Sequence, residues 1–205
     1  MRILFAAAAF AALPFAVSTA QAQDADTATT TAAPETETAP DGTRAFGIEP
    51  YVGILGGYER FDEQRNAGIP APIDGKGYDG GLVQGVAGIN VPLGPVFVGV
   101  EGNVAKGFKG DIDWEYGAAG RFGLRAGESG MIYGKVGYQW VNFDALGNDS
   151  RDYHAMTYGA GVEVGPKDIG LGGLTGNSGL RLRMEINTFN NAKSFRPMAG
   201  VIAHF

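Results

Sequence analysis

The segment "NDSRDYHAM" brings Asp149, Ser150, Asp152 and His154 within a few residues of one another. These are the residue types of a hydroxyl nucleophile, an imidazole base and an orienting carboxylate. Residue types without a defined geometry do not make a catalytic set, and the spacing leaves His154 as a rim residue. Asp144, Asp149 and Asp152 offer the hard oxygen ligands of a divalent cation, yet acids spaced along a loop are usually just solvated. "GKGYDGG", from Gly75 to Gly81, has the form of a single glycine–aspartate calcium repeat, a type of site that needs stacked copies. No P-loop, HExxH, GxSxG or CxxC pattern occurs, and the chain has no cysteine. The expectation is a protein that is not an enzyme and carries no cofactor or metal.

The remaining chemistry-bearing residues alternate with apolar ones. In "GLRLRMEINTF", from Gly179 to Phe189, Leu180, Leu182, Met184 and Ile186 take turns with Arg181, Arg183, Glu185 and Asn187. A period of two is a strand with one apolar and one polar face. Read for alternation and turns, the sequence predicts eight strands: 46–61, 80–91, 96–108, 113–126, 131–143, 153–165, 179–189 and 195–205. By parity one face collects Glu49, Glu101, Glu163 and Glu185 with Arg121, Arg125, Lys135, Arg181 and Arg183, joined by Gln84, Asn103 and Gln139. The other face is apolar, running from Ile48 and Val52 to Leu182 and Val201.

Which face lies inside depends on the rest of the chain. The leader "MRILFAAAAFAALPFAVSTAQAQ" has a basic start, an apolar stretch too short to span a membrane as a helix, and a small-x-small site ending at Ala22. Residues 1–22 are therefore expected to be a cleaved export signal. Residues 23–44 hold Thr, Ala, Pro and acids with no aromatic or branched aliphatic side chain, the composition of a disordered tether. Five acids there (Asp24, Asp26, Glu35, Glu37 and Asp41) carry much of the net charge of −6, so the remaining domain, 45–205, is close to neutral and no nucleic-acid partner is expected. All 34 glycines lie at Gly42 or beyond, many inside strands, which suits a narrow, strongly curved barrel.

With both termini at the periplasmic end, the tight links "PLGP" and "GESG" fall on the periplasmic side and the longer links mostly outside, the usual arrangement in membrane barrels. Two links depart from it: the third is short for an external loop, and the sixth, 165–178, is long for a periplasmic turn. On the apolar face Tyr58, Trp114, Tyr116, Tyr138, Trp140 and Phe195 all fall at the external ends of their strands. This is the layout of an interfacial aromatic belt. Phe46, Phe122 and Phe205 fall at the opposite ends. The expectation is that the apolar face meets lipid and the charges fill the lumen. The fold class is thus all-β, an eight-stranded antiparallel up-and-down transmembrane barrel. An eight-stranded barrel is only wide enough for side chains to fill, and four acids against five bases predict a salt-bridged plug.

The leader, the first strand "YVGILGGYERFD", the pair "TYGAGVEVG … LRLRMEIN" and the final "GVIAHF" together resemble the small outer-membrane β-barrel family of the opacity-type porin-like proteins and the OmpA and OmpX barrels. The resemblance covers about residues 45–205. It implies a monomer in the outer membrane of a Gram-negative cell, in contact with outer-membrane lipid and lipopolysaccharide, with Phe205 as the signal read by the barrel-assembly machinery during insertion. A structural or surface-interaction role is expected. A narrow porin-like channel for small ions or solutes is the alternative, and a lipid-modifying barrel enzyme stands third.

Overall fold

A computed structural model describes residues 47–62, 78–126, 130–143, 152–165 and 179–205. The leader and tether expected over 1–22 and 23–44, Phe46, and most of the first, fourth, fifth and sixth connections lie outside these residues. Eight strands follow one another: β1 (Glu49–Phe61), β2 (Asp79–Leu93), β3 (Val96–Gly110), β4 (Ile112–Ala126), β5 (Gly130–Phe143), β6 (Tyr153–Val164), β7 (Leu180–Phe189) and β8 (Ser194–His204). Each pairs antiparallel with its sequence neighbours, and β8 pairs with β1, so the sheet closes into a barrel. Closure leaves no free sheet edge, which is what a strand surrounded by hydrocarbon requires.

The alternation in the sequence fixes the two faces. Along β7 exposure alternates strictly from Leu180 to Asn187, with Arg181, Arg183, Glu185 and Asn187 buried and Leu180, Leu182, Met184 and Ile186 exposed. A one-residue slip would turn every arginine outward, so pairing register and face assignment are one constraint. Strands of 10 residues in β7 and 15 in β2, β3 and β4 meet or exceed the roughly 9–11 residues that a tilted strand needs to cross a bilayer.

The barrel has a terminal end, with Glu49, Phe205 and the β2–β3 turn, and a loop end, with the β1–β2, β3–β4, β5–β6 and β7–β8 links. The β2–β3 hairpin turns on Gly94 and Pro95 between the paired Leu93 and Val96. Gly94 has φ +73°, a conformation that favours glycine at the first central position of a two-residue turn. The β3–β4 link at the loop end is only Asp111, after Gly110 at φ +103°. The β7–β8 turn is made of three successive left-handed residues, Asn190, Asn191 and Ala192 (φ 44°, 56° and 63°). The Lys193 amide closes the turn on the Phe189 carbonyl at 2.7 Å.

Narrowness shows in how aromatics pack inside. Tyr51 lies over its cross-strand partner Gly88, and Tyr133 lies over Gly161. A Cβ on Gly161 would come within 2.5 Å of the Tyr133 ring, so each glycine gives the ring room to lie against the wall.

Candidate functional site

The lumen is filled in two zones. At the loop end Phe61, Tyr78, Leu82, Ile112, Val141, Phe143 and Phe189 form a buried apolar cluster. Phe61 meets Phe143 and Phe189 edge-on at centroid distances of 5.2 and 5.6 Å. Below this cap ions run down to the terminal end, set among two further buried apolar clusters, Tyr51, Leu55, Val86, Met198 and Ile202, and Phe97, Met131 and Tyr133. Glu49, Glu101, Glu163, Glu185, Arg121, Lys135, Arg181 and Arg183 are all buried on the inner face, and Arg125 is half-buried beside them.

The ionic zone centres on Glu101 and Glu163. Arg183 donates from Nη1 to Glu101 Oε2 at 2.5 Å and from Nε to Glu163 Oε1 at 3.0 Å. Arg121 donates to the same Glu163 oxygen at 2.7 Å. Lys135 bridges Glu101 and Glu185 at 3.0 and 2.9 Å. At the terminal end Glu49 takes Arg125 at 2.7 Å and Arg181 at 3.2 Å. Glu163 and Arg183 are register partners on β6 and β7, whereas Glu185 and Lys135 meet across the lumen from β7 and β5.

Charges withdrawn from water cost several kcal/mol each unless each is met by several partners. Here most are. Tyr51 donates its hydroxyl to Glu101 at 2.9 Å and Tyr133 to Glu185 at 2.8 Å. The Arg121 guanidinium lies over the Tyr133 ring at 4.0 Å, a cation–π contact in a dry setting.

Four members, Glu59, Glu115, Arg196 and His204, were not assigned to the charge network from the sequence, although His204 was expected at the lumen mouth. Arg196 reaches both Glu59 and Glu115 just under the cap, and Gln139 completes this layer by donating to Glu115 and accepting from Arg196. His204 sits between Glu163 and Glu49, with ring nitrogens 2.7 and 2.8 Å from their oxygens. With them, six carboxylates (Glu49, Glu59, Glu101, Glu115, Glu163, Glu185) face six fixed cations (Arg121, Arg125, Lys135, Arg181, Arg183, Arg196). Parity could have found these four, since Glu59 follows Glu49, Glu115 precedes Arg121, and Arg196 and His204 share a face, each at an even spacing.

The outer face is the inverse. Ile54, Val100, Leu182, Met184 and Val201 are exposed around its middle. Tyr58, Trp114, Tyr116 and Phe195 are exposed at the loop end, with Tyr138 and Trp140 partly so, and Phe122 and Phe205 are exposed at the terminal end. An apolar band of this height with ions inside is stable only where hydrocarbon surrounds it. The fold is that of the small outer-membrane β-barrels. No family model matches the chain, and no curated protein sequence matches it. The chain is similar to several solved structures. Neisserial surface protein A is 15% identical with a TM-score of 0.47 over 78% of this chain and 99% of its own. Ail, the attachment invasion locus protein of Yersinia pestis, is 18% identical with a TM-score of 0.43 over 77% and 97%. A de novo designed transmembrane β-barrel is 13% identical with a TM-score of 0.44 over 78% and 96%. The reading of the fold and of its two faces rests on the barrel's own strand pairing and residues.

The hydrolase and metal candidates find little around them. His154 is exposed on the outer face, its Nδ1 2.5 Å from the Tyr138 hydroxyl. Asp152 accepts from Tyr116 and Asn142. Ser150, Asp149 and Asp144 lie outside the described residues. Among the described residues no three His, Asp or Glu side chains converge as a metal site.

Proposed function

We propose that the protein is a monomeric integral outer-membrane barrel with a plugged lumen, serving as a structural and surface-contact element of the envelope. One observation carries the plug: six buried carboxylates and six cations pair across the lumen beneath an apolar cap. An ion entering from the terminal end would have to break several charge-assisted bonds and then cross the buried apolar cap. On this reading the loop end faces outward, where connections on a rigid scaffold carry recognition. Purified protein in planar bilayers should give no steady current. Sustained conductance would support the narrow-channel alternative instead. Outer-membrane fractionation with heat-modifiable migration tests location, and release by carbonate without detergent would overturn it.

Phe205 supports the assembly part of the proposal. Its ring is exposed on the outer face, and its amide donates to the Pro50 carbonyl at 2.9 Å across the closing seam. Deleting it removes one backbone bond and no lumen contact. The folded barrel should lose little stability, whereas its outer-membrane level in cells should fall sharply. Unchanged levels would remove Phe205 as the assembly signal.

A further inference from the structure

Among the described residues the strand pairings of the barrel differ at one place. Seven of them run without a gap, two through a bulge, at Gly81/Leu82 and at Ile112/Trp114. The closing pairing of β1 with β8 is interrupted instead. It runs from Tyr51–His204 to Gly57–Met198 and resumes at Arg60–Phe195 in the same register. Tyr58 and Glu59 are left unpaired with Pro197 and Arg196.

The sequence supplies the cause. The Phe205 amide donates to Pro50 of β1, and the His204 amide faces the other way, donating to Gly179 next to the start of β7. Nitrogens two residues apart on a strand face the same neighbour, so position 197 faces β1, opposite Tyr58. Proline has no N–H to donate there. Within sheets proline is confined to edge strands, first residues and bulges, yet Pro197 lies inside β8 and pairs with Ile186 on its other side. It puts an edge-like gap into a closed barrel.

A side-chain contact spans the gap. Glu59 and Arg196, whose backbones do not pair, meet inside the lumen at 3.4 Å. Arg196 is also held by Glu115 of β4 and Gln139 of β5, so β8 stays anchored when β1 lets go. Past the gap the backbone ladder holds β1 to β8 only through Arg60–Phe195, Phe61–Ser194 and the Asp62 amide on the Lys193 carbonyl at 2.8 Å. Outside, the exposed Tyr58 and Phe195 flank it.

We propose that the loop end of the β1–β8 seam is a lateral gate, in which β1 parts from β8 beyond Gly57 and the Glu59–Arg196 pair is the clasp. Opening joins the polar layer of Glu59, Glu115, Gln139 and Arg196 to the outer face at the level of Tyr58 and Phe195. The route passes neither the apolar cap nor the ions below. The plug closes the axis, and the seam provides a side path. That this path leads to lipid rests on the outer-membrane reading above.

Residue-resolved amide hydrogen exchange tests the gate, with the folded barrel in phospholipid nanodiscs and, in parallel, in detergent micelles. The Arg60 and Phe195 amides face the seam. The Arg196 amide, at the same height on β8, faces β7 and is the internal reference. Corrected for intrinsic rates, the seam amides should exchange faster than the reference. Pro197→Ala restores the missing donor and should slow them about fivefold, the worth of one net hydrogen bond. Glu59→Gln loosens the clasp and should speed them while Arg196 keeps its rate; Pro197→Ala carries the test if Glu59→Gln does not fold. Equal protection on the two sides of β8, or seam amides that exchange as before in Pro197→Ala, would overturn the gate. A chain that inserts in no bilayer defeats the membrane reading and with it a path to lipid. An inserted barrel with a uniformly protected seam defeats the gate alone.

Discussion

The two zones of the lumen solve the same packing problem with opposite chemistry. The cap at the loop end excludes water with Phe61, Phe143, Phe189 and their neighbours, as a soluble core does. The zone below adds to its smaller apolar clusters a network of ions that are each other's solvent. Both fill space, but they differ in what a defect costs. An apolar defect loses contacts and area, in proportion to the atoms removed. An ionic defect leaves its partners charged, buried and unpaired.

The largest expected effect follows from that difference. Arg183→Ala leaves Glu101 and Glu163 each short of a donor and should cost about 3–5 kcal/mol by urea unfolding in vesicles. In the cap Phe143→Leu trims a ring packed edge-on to Phe61 and should cost about 1–2 kcal/mol. If the two costs are equal, the lumen is wetter than its contacts indicate, and the zones do not differ in kind. A smaller effect lies in the β7–β8 turn. Ala192 holds φ +63°, a conformation that costs an L-residue roughly 1 kcal/mol and glycine little. Ala192→Gly should therefore stabilise by somewhat less than about 1 kcal/mol, net of added chain entropy. The smallest effect is expected outside. Leu182→Ala, one residue from Arg183 and 43% exposed, exchanges side chain for lipid and should cost under about 1 kcal/mol. If it exceeds Arg183→Ala, the assignment of faces is inverted.

Strand alternation made the barrel legible from the sequence. The observed strands start and end within three residues of those expected, because a period of two leaves little freedom once one face is apolar. The lumen was legible in direction but not in extent. Parity gave Arg183 and Glu163, and the same parity carried to the strand ends would have added Glu59, Glu115 and Arg196. His204, which parity sets at the lumen mouth, does face the lumen and there bridges Glu163 and Glu49. Two features leave no trace in a periodic pattern. Tyr51 and Tyr133 reach charges on distant strands, which depends on barrel width, and the cap depends on which apolar residues fall at the strand ends on the inner side.

The lumen ions also order events in time. Arg183 and Glu163 are separated by 20 positions in the chain, but Arg181 and Glu49 by 132, and Arg196 and Glu59 by 137. The short-range pairs can form as neighbouring strands meet. The long-range ones join β1 to β7 and β8, and they form only when the sheet curls shut. A growing sheet thus carries two acids on its first strand and an arginine and a histidine near its end, and their pairing with each other waits for closure. Loop-closure entropy opposes so distant a meeting, and the reward arrives all at once when it occurs. The seam acts as a latch, in which the last strand home completes the charge pairing and, once seated, cannot leave without exposing it.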